Sequence, residues 1–252
     1  MFSQNFTLLK VPIGTPFQDQ KPGTSGLRKS TLQFEQPNYL ESFIEAIFKT
    51  LPGVEGGVLI VGGDGRYGNK RATHIILRMA AAHGIKKVIT TFDGILSTPA
   101  ASNLIRRSNA IGGIILSASH NSGGINGDFG VKLNGCNGGP ASESLTDEIF
   151  DCTKSLREYR ILECESEESF AIGTYNLADM TVEIIDGVED YLLLMQDLFD
   201  FDRISSYIGK DFPIVFDALH AVTGPYAKRL FEGRLGATAG TVRNGIPLED
   251  FG

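Results

Sequence analysis

The stretch GVLIVGGDGRYGNKRATHIILRMAAAHGIKKVITTF, Gly57 to Phe92, changes its apolar rhythm twice, and those changes decide the fold. GVLIVGG, Gly57 to Gly63, is a short β-branched run closed by glycines, and KKVITTF, Lys86 to Phe92, is a second; both read as strands. Between them, Ile75, Ile76, Met79 and Ala80 recur at helical spacing, and Gly84 is placed to stop the helix. The result is a strand, helix, strand unit. The alternation continues outward. STPAASNLIRRSNA (97–110) reads as helix, GGIILSA (112–118) as strand and DFGVKLN (128–134) as a further strand. PASESLTDEIFDCTKSL (140–156) reads as a helix entered at Ser142, with Leu145, Ile149 and Cys152 on one face. MTVEIID (180–186) is a strand and GVEDYLLLMQDLF (187–199) a helix, after which FPIVFDAL (212–219) and TGPYAKRLFE (223–232) open a new unit. Such alternation predicts an α/β fold, a layered mixed sheet with helices on both faces.

Composition narrows the function classes. A chain of 252 residues with 42% hydrophobic side chains buries a real core. A formal charge of -7 and the lack of any basic run argue against nucleic acid and anionic membranes as partners, while leaving room for a small anionic ligand in a local basic pocket. The cysteines, Cys136, Cys152 and Cys164, lack metal-ligand spacing and point to a reducing compartment, with structural or incidental thiols. The opening MFSQNFTLLKVPIG lacks the apolar core of a signal peptide, so the expected location is cytoplasmic and the glycosylation sequon at Asn5 is a chance match. ECESEES (163–169) reads as an acidic surface excursion.

SASHNSGG, Ser117 to Gly124, sets a serine beside a histidine where a buried strand ends. Loops at strand ends of α/β sheets commonly hold ligands, and the paired glycines allow close backbone approach. On local pattern alone two readings stand: a polar turn, or a nucleophile at the mouth of a site. The esterase elbow Gly-x-Ser-x-Gly is absent, which weakens a hydrolase reading.

The longer stretch SASHNSGGINGDFGVKLNGCNGGPA (117–141) resembles the active-site loop of the α-D-phosphohexomutases. PFQDQKPGTSGLRK (16–29), VGGDGRYGNK (61–70), DGILSTPA (93–100), TVEIIDGVEDY and NGIPLEDFG extend the likeness in colinear order over nearly the whole chain, closest to the glucose-phosphate members. That resemblance implies that Ser119 carries a phosphoryl group and passes it to the sugar. It implies that His120 contacts the reacting phosphate or assists proton movement, and that Lys132 neutralises charge or serves as acid or base. Thr24, Ser25 and Arg28 match a loop lying against the phosphoserine, with Arg28 suited to clamp phosphate, and Asn121 joins the phosphate-binding set. GGDGR (62–66), taken alone, is a glycine-rich strand exit. The implied reaction interconverts glucose 1-phosphate and glucose 6-phosphate through glucose 1,6-bisphosphate, which also acts as activator, with Mg2+ as the metal.

The departures shape the expectation as much as the matches. Ser122 stands where the family has proline, and Ser117 where it has threonine. The family's Asp-Gly-Asp-Gly-Asp-Arg metal loop does not occur, so Ser119, through its phosphate, is the chain's single expected contribution to the metal. Asp200-Phe201-Asp202 matches another part of the family and reads as a solvated pair. The sugar-recognition and distal phosphate loops do not occur either. Residues 1–187 are expected to form domain I with the serine loop, and 188–252 an incomplete domain II. The expected identity is the N-terminal part of a longer enzyme; the alternative is a non-catalytic relative acting as a binding or regulatory phosphoprotein.

Overall fold

A computed structural model describes residues 6–163, 171–208 and 212–252. In chain order, strands β1 (Thr7–Pro12) and β2 (Leu27–Ser30) lead into helices α1 (Thr31–Phe34) and α2 (Tyr39–Thr50). Next come β3 (Val58–Gly63), α3 (Asn69–Ala82), β4 (Lys87–Thr91), α4 (Thr98–Arg107), β5 (Gly112–Leu116), β6 (Asp128–Gly135) and α5 (Glu143–Thr153). Strands β7 (Glu158–Glu163), β8 (Gly173–Leu177) and β9 (Met180–Ile185) precede α6 (Gly187–Leu198) and α7 (Phe201–Tyr207). The last elements are β10 (Phe216–Asp217), α8 (Thr223–Ala227), which runs on as wider turns through Lys228–Arg234, and β11 (Val242–Arg243).

The main sheet has seven strands in the order β2-β6-β5-β3-β4-β9-β8. Strands β5, β3, β4 and β9 are parallel, β6 and β8 run antiparallel to them on the two sides, and β2 pairs antiparallel with β6 at the edge, which makes the sheet mixed as the alternating pattern predicts. Two helical layers follow from the two-residue period of a strand. Leu59, Val61, Val88, Ile114 and Leu116 point to one face and pack with Phe43, Ile47, Ile76 and Met79 of α2 and α3. Ile60, Ile89 and Ile115 point to the other and pack with Ala100, Leu104 and Ile105 of α4. A chain that steps from β3 to β4 and then back across β3 to β5 must place α3 and α4 on opposite faces if both crossovers keep the usual hand.

Helix ends follow their local chemistry. Ser97 and Ser142 cap α4 and α5 by accepting from the N–H of Ala100 and Leu145, and Gly84, at φ +77, ends α3. Asp200 caps α7 by accepting from the Arg203 N–H, so one member of the Asp-x-Asp pair has a structural role.

Two sequence expectations change. FPIVFDAL yields only the two-residue strand β10, because its parallel partner β11 is equally short and Pro213 has no N–H for a ladder. The pair β1 and β7, antiparallel from Thr7↔Glu163 to Pro12↔Glu158, is an addition that the sequence reading did not contain. Most of ECESEES, together with Cys164 and Asn5, lies outside the described residues.

A third apolar cluster, Ile208, Leu235 and Ala237 with Phe231, gathers the C-terminal elements. Tyr226 is one of the ties from these elements to the main sheet: it packs beside Leu96 and Ile115, and its hydroxyl accepts from the Ser97 N–H at 3.1 Å. Tyr226→Phe is expected to cost about 1 kcal/mol, because a buried N–H loses its partner. Chemical denaturation of the two chains measures it directly.

Candidate phosphoryl-transfer site

The carboxyl ends of β3 and β5 lie side by side, paired through Gly63↔Leu116 and extended by the Asp64 N–H bonding the Leu116 carbonyl at 3.0 Å. Chain leaves these two ends in different directions, toward α3 and toward β6, and such a divergence opens a crevice. A cavity of about 760 Å³ occupies it, with Asp64, Ser117, Ser119, His120, Tyr191 and Phe251 among its lining residues. Both its position and its size suit a small ligand.

Ser119 stands exposed at the edge of this cavity with φ +57, a left-handed conformation uncommon for a residue with a side chain. Its N–H donates to Ser117 Oγ at 2.9 Å, which is the use the chain makes of that hydroxyl. Its own Oγ lies 3.5 Å from His120 Nδ1, longer than the contact of a serine held by its base. His120 is thus a neighbour of Ser119 rather than its tight partner. Asn121 also lines the cavity, and its amide donates to Asp128 Oδ2 at 2.7 Å, which pins the loop to the start of β6.

The strand ladder decides which cations share the serine's face. Arg28 pairs with Gly130, and Lys132, two residues along β6, pairs with Ile115. Ile115 and Ser117 line the cavity, so register puts Arg28 and Lys132 on that same face. Burial pushes the Lys132 ammonium below its ordinary pKa, and the Arg28 charge pushes it further in the same direction. Arg28 Nε is buried without a hydrogen-bond partner. An orphaned guanidinium N–H beside a crowded ammonium fits a phosphate, which would satisfy the first and relieve the second.

Thr24 and Ser25 form the tip of a tight turn closed by reciprocal Gly23 and Gly26 bonds of 3.1 and 2.9 Å. Thr24 lines a small cavity against Phe43 and Ile149, on the side of the sheet that carries α2 and α5. Among the described residues no group of three or more His, Cys, Asp or Glu side chains is arranged to hold a metal ion. The described residues therefore do not fit Mg2+ by themselves.

Arg66 is the residue the sequence reading passed over inside GGDGR. It is 1% exposed, and its guanidinium forks onto the Asp64 carboxylate at 2.9 to 3.1 Å. Its remaining donors reach the carbonyls of Asp128 at 2.6 Å and Ser119 at 3.1 Å. The available signal was a carboxylate and a guanidinium two residues apart at a buried strand's exit. A second contribution comes from far along the chain, where the Glu249 carbonyl accepts from both Tyr67 and Gly124 N–H groups at 2.9 Å.

A seven-stranded mixed sheet layered by helices on both faces, with a cavity at the carboxyl ends of β3 and β5, defines a three-layer α/β protein. Comparison with known proteins makes the assignment specific. The family described as phosphoglucomutase/phosphomannomutase, alpha/beta/alpha domain I, matches residues 19–160, and the chain belongs to it. A phosphoglucomutase of Rhizobium radiobacter is 51% identical over 245 residues, 97% of this chain and 45% of its own length. That of Schizosaccharomyces pombe is 48% identical over 240 residues, 94% of this chain and 43% of its own. The crystal structure of the exocytosis-sensitive phosphoprotein pp63/parafusin, a phosphoglucomutase from Paramecium in its open form, superposes with a TM-score of 0.92 at 43% identity. It covers 98% of this chain, which covers 46% of it. The chain thus spans about half the length of the relatives it matches. No helix among the described residues is long and apolar enough to cross a membrane.

Proposed function

We propose that this chain is the catalytic-serine portion of a phosphoglucomutase that interconverts glucose 1-phosphate and glucose 6-phosphate. Residues 1–187 form domain I and 188–252 the start of domain II in this reading. The observation that carries it is the exposed Ser119 at a cavity whose face also holds Arg28 and Lys132. In the loading step Ser119 Oγ attacks a phosphorus of glucose 1,6-bisphosphate, the bond from phosphorus to the sugar oxygen breaks, and the serine proton passes by way of a base to that oxygen. Arg28 and Lys132 offset the charge on the transferring oxygens, which is most of what such a reaction asks of a protein. Transfer onward to glucose 1-phosphate regenerates the free serine and the bisphosphate. Metal ligation and sugar recognition belong to segments beyond these residues, and the setting is the cytoplasm.

The test is phosphoryl uptake followed by discharge. Incubated with glucose 1,6-bisphosphate, the chain is expected to gain the mass of one phosphoryl group, mapped to Ser119 by peptide sequencing. Glucose 1-phosphate should then remove it. Uptake without discharge would favour a second reading, suggested by the Paramecium relative's description as a phosphoprotein. No uptake, or uptake at another residue, refutes the mutase reading.

A further inference from the structure

We propose that Arg66 is the positioning residue of the nucleophile loop, holding Ser119 in its left-handed conformation by gripping the serine's own carbonyl. The inference deepens the phosphoryl-transfer reading and rests on it for its catalytic consequence. Three observations carry it.

The first is that every nitrogen of the Arg66 guanidinium is bonded within the protein. Nε and Nη2 bind the Asp64 carboxylate, Nη2 also binds the Ser119 carbonyl, and Nη1 binds the Asp128 carbonyl. Its side chain is fully enclosed, so it is built as an internal brace and not as an anion receptor. A guanidinium suits the task because its planar fork fixes the directions of several donors at once, which a lysine ammonium does not.

The second is that the two carbonyls it grips mark the two ends of the loop. Ser119 opens the excursion and Asp128 starts β6, so one planar group sets the distance across the loop's neck. Between them the loop is closed by Asn121 N–H to the Ala118 carbonyl at 3.2 Å and Asp128 N–H to the Ser122 carbonyl at 2.9 Å, and its far half is tied outward by Thr31, whose N–H and hydroxyl donate to the Gly127 and Gly124 carbonyls at 2.8 and 2.9 Å, and by the Glu249 carbonyl, which accepts from the Gly124 N–H. None of these outward ties reaches Ser119, His120 or Asn121, the half of the loop that carries the hydroxyl. Arg66, anchored through Asp64 on the end of β3, ties it to the rigid layer.

The third is the strain at Ser119. A side-chain-bearing residue at φ +57 relaxes unless its surroundings hold it. The carbonyl of that residue is where Arg66 holds it. The guanidinium lies 5.2 Å from the centre of the Phe251 ring, which closes its remaining side.

Arg66→Lys tests this, since it keeps the charge and removes the fork. Amide hydrogen exchange is expected to quicken at least tenfold at Ser119 and Asn121 while the amides of β3 and β5 keep their protection. The rate of phosphoryl uptake at saturating glucose 1,6-bisphosphate should fall at least tenfold with little change in the half-saturating concentration. That split separates a displaced nucleophile from a weakened binding site. If Arg66→Lys does not fold, Asp64→Asn, which loosens the anchor but leaves Arg66 in place, is expected to show the same local pattern. Loop protection unchanged in the folded variant, or loss of protection spread evenly over the sheet, overturns the proposal. A parent chain that takes up no phosphoryl group refutes the function reading instead, and the positioning role is then judged on exchange alone.

Discussion

Ser119→Ala is expected to end phosphoryl uptake outright, while a chain with Ser119→Gly loses it equally and gains stability over the alanine variant by about 1 kcal/mol. The first half follows from chemistry. The exposed Oγ is the atom expected to carry the group. The second half follows from backbone geometry. At φ +57 a Cβ crowds the following carbonyl, and only glycine escapes that crowding. The serine hydroxyl is exposed and its loss disturbs little, so both variants should fold and be comparable by urea titration. Uptake retained by either would remove Ser119 from the mechanism. Equal stabilities would mean that the loop relaxes out of the left-handed region once the serine is gone.

Gly63→Ala is expected to cost the fold about 3 kcal/mol and to lower Tm by roughly 10 °C. A Cβ at Gly63 would stand 2.2 Å from Leu116 O and 2.2 Å from Asn69 Oδ1. Neither can step aside. The Leu116 carbonyl already accepts the Asp64 N–H, and Asn69 is buried at the head of α3 with its amide nitrogen donating to the Gly94 carbonyl. The clash would push β3 and β5 apart at the place where the site opens. Gly233→Ala makes the opposite control: nothing lies within 4 Å, the residue sits in a helical segment, and the added methyl should stabilise by about 0.5 kcal/mol. A thermal scan of both chains checks the pair, and a Gly63→Ala chain as stable as its parent would show that β3 and β5 can separate cheaply.

How much of this was legible depends on where each signal resides. The units β3-α3-β4 and α4-β5 were legible because their apolar residues recur at the period of the element that contains them, and Ile75, Ile76 and Met79 do face the core. The pair β1 and β7 was not, because TLLKVP and EYRILE are weak strands in isolation and become a ladder only when residues far apart in the chain meet. The site divides in the same way. Ser119, His120 and Lys132 stand in one continuous motif and could be read there. Arg66 could not, since a guanidinium beside glycines looks like a solvated turn until the carbonyls of Ser119 and Asp128 are folded onto it. Thr24 shows the converse, a motif match whose place in the fold lies against α2 and α5.

The Glu249 carbonyl that takes the Tyr67 and Gly124 amides sets an order on synthesis. The nucleophile loop leaves the ribosome long before the residues that cover Gly123 and Gly124 exist, so every newly made chain passes through a stage in which the serine is displayed and its loop unpinned. The central strands can pair during that interval, because their partners are near in sequence. The loop reaches its final form only when the segment around Glu249 docks, late and over a long stretch of chain, where closure is slow. Phosphoryl uptake should therefore be the last property to appear as the chain matures, after the fold that supports it is already resistant to protease.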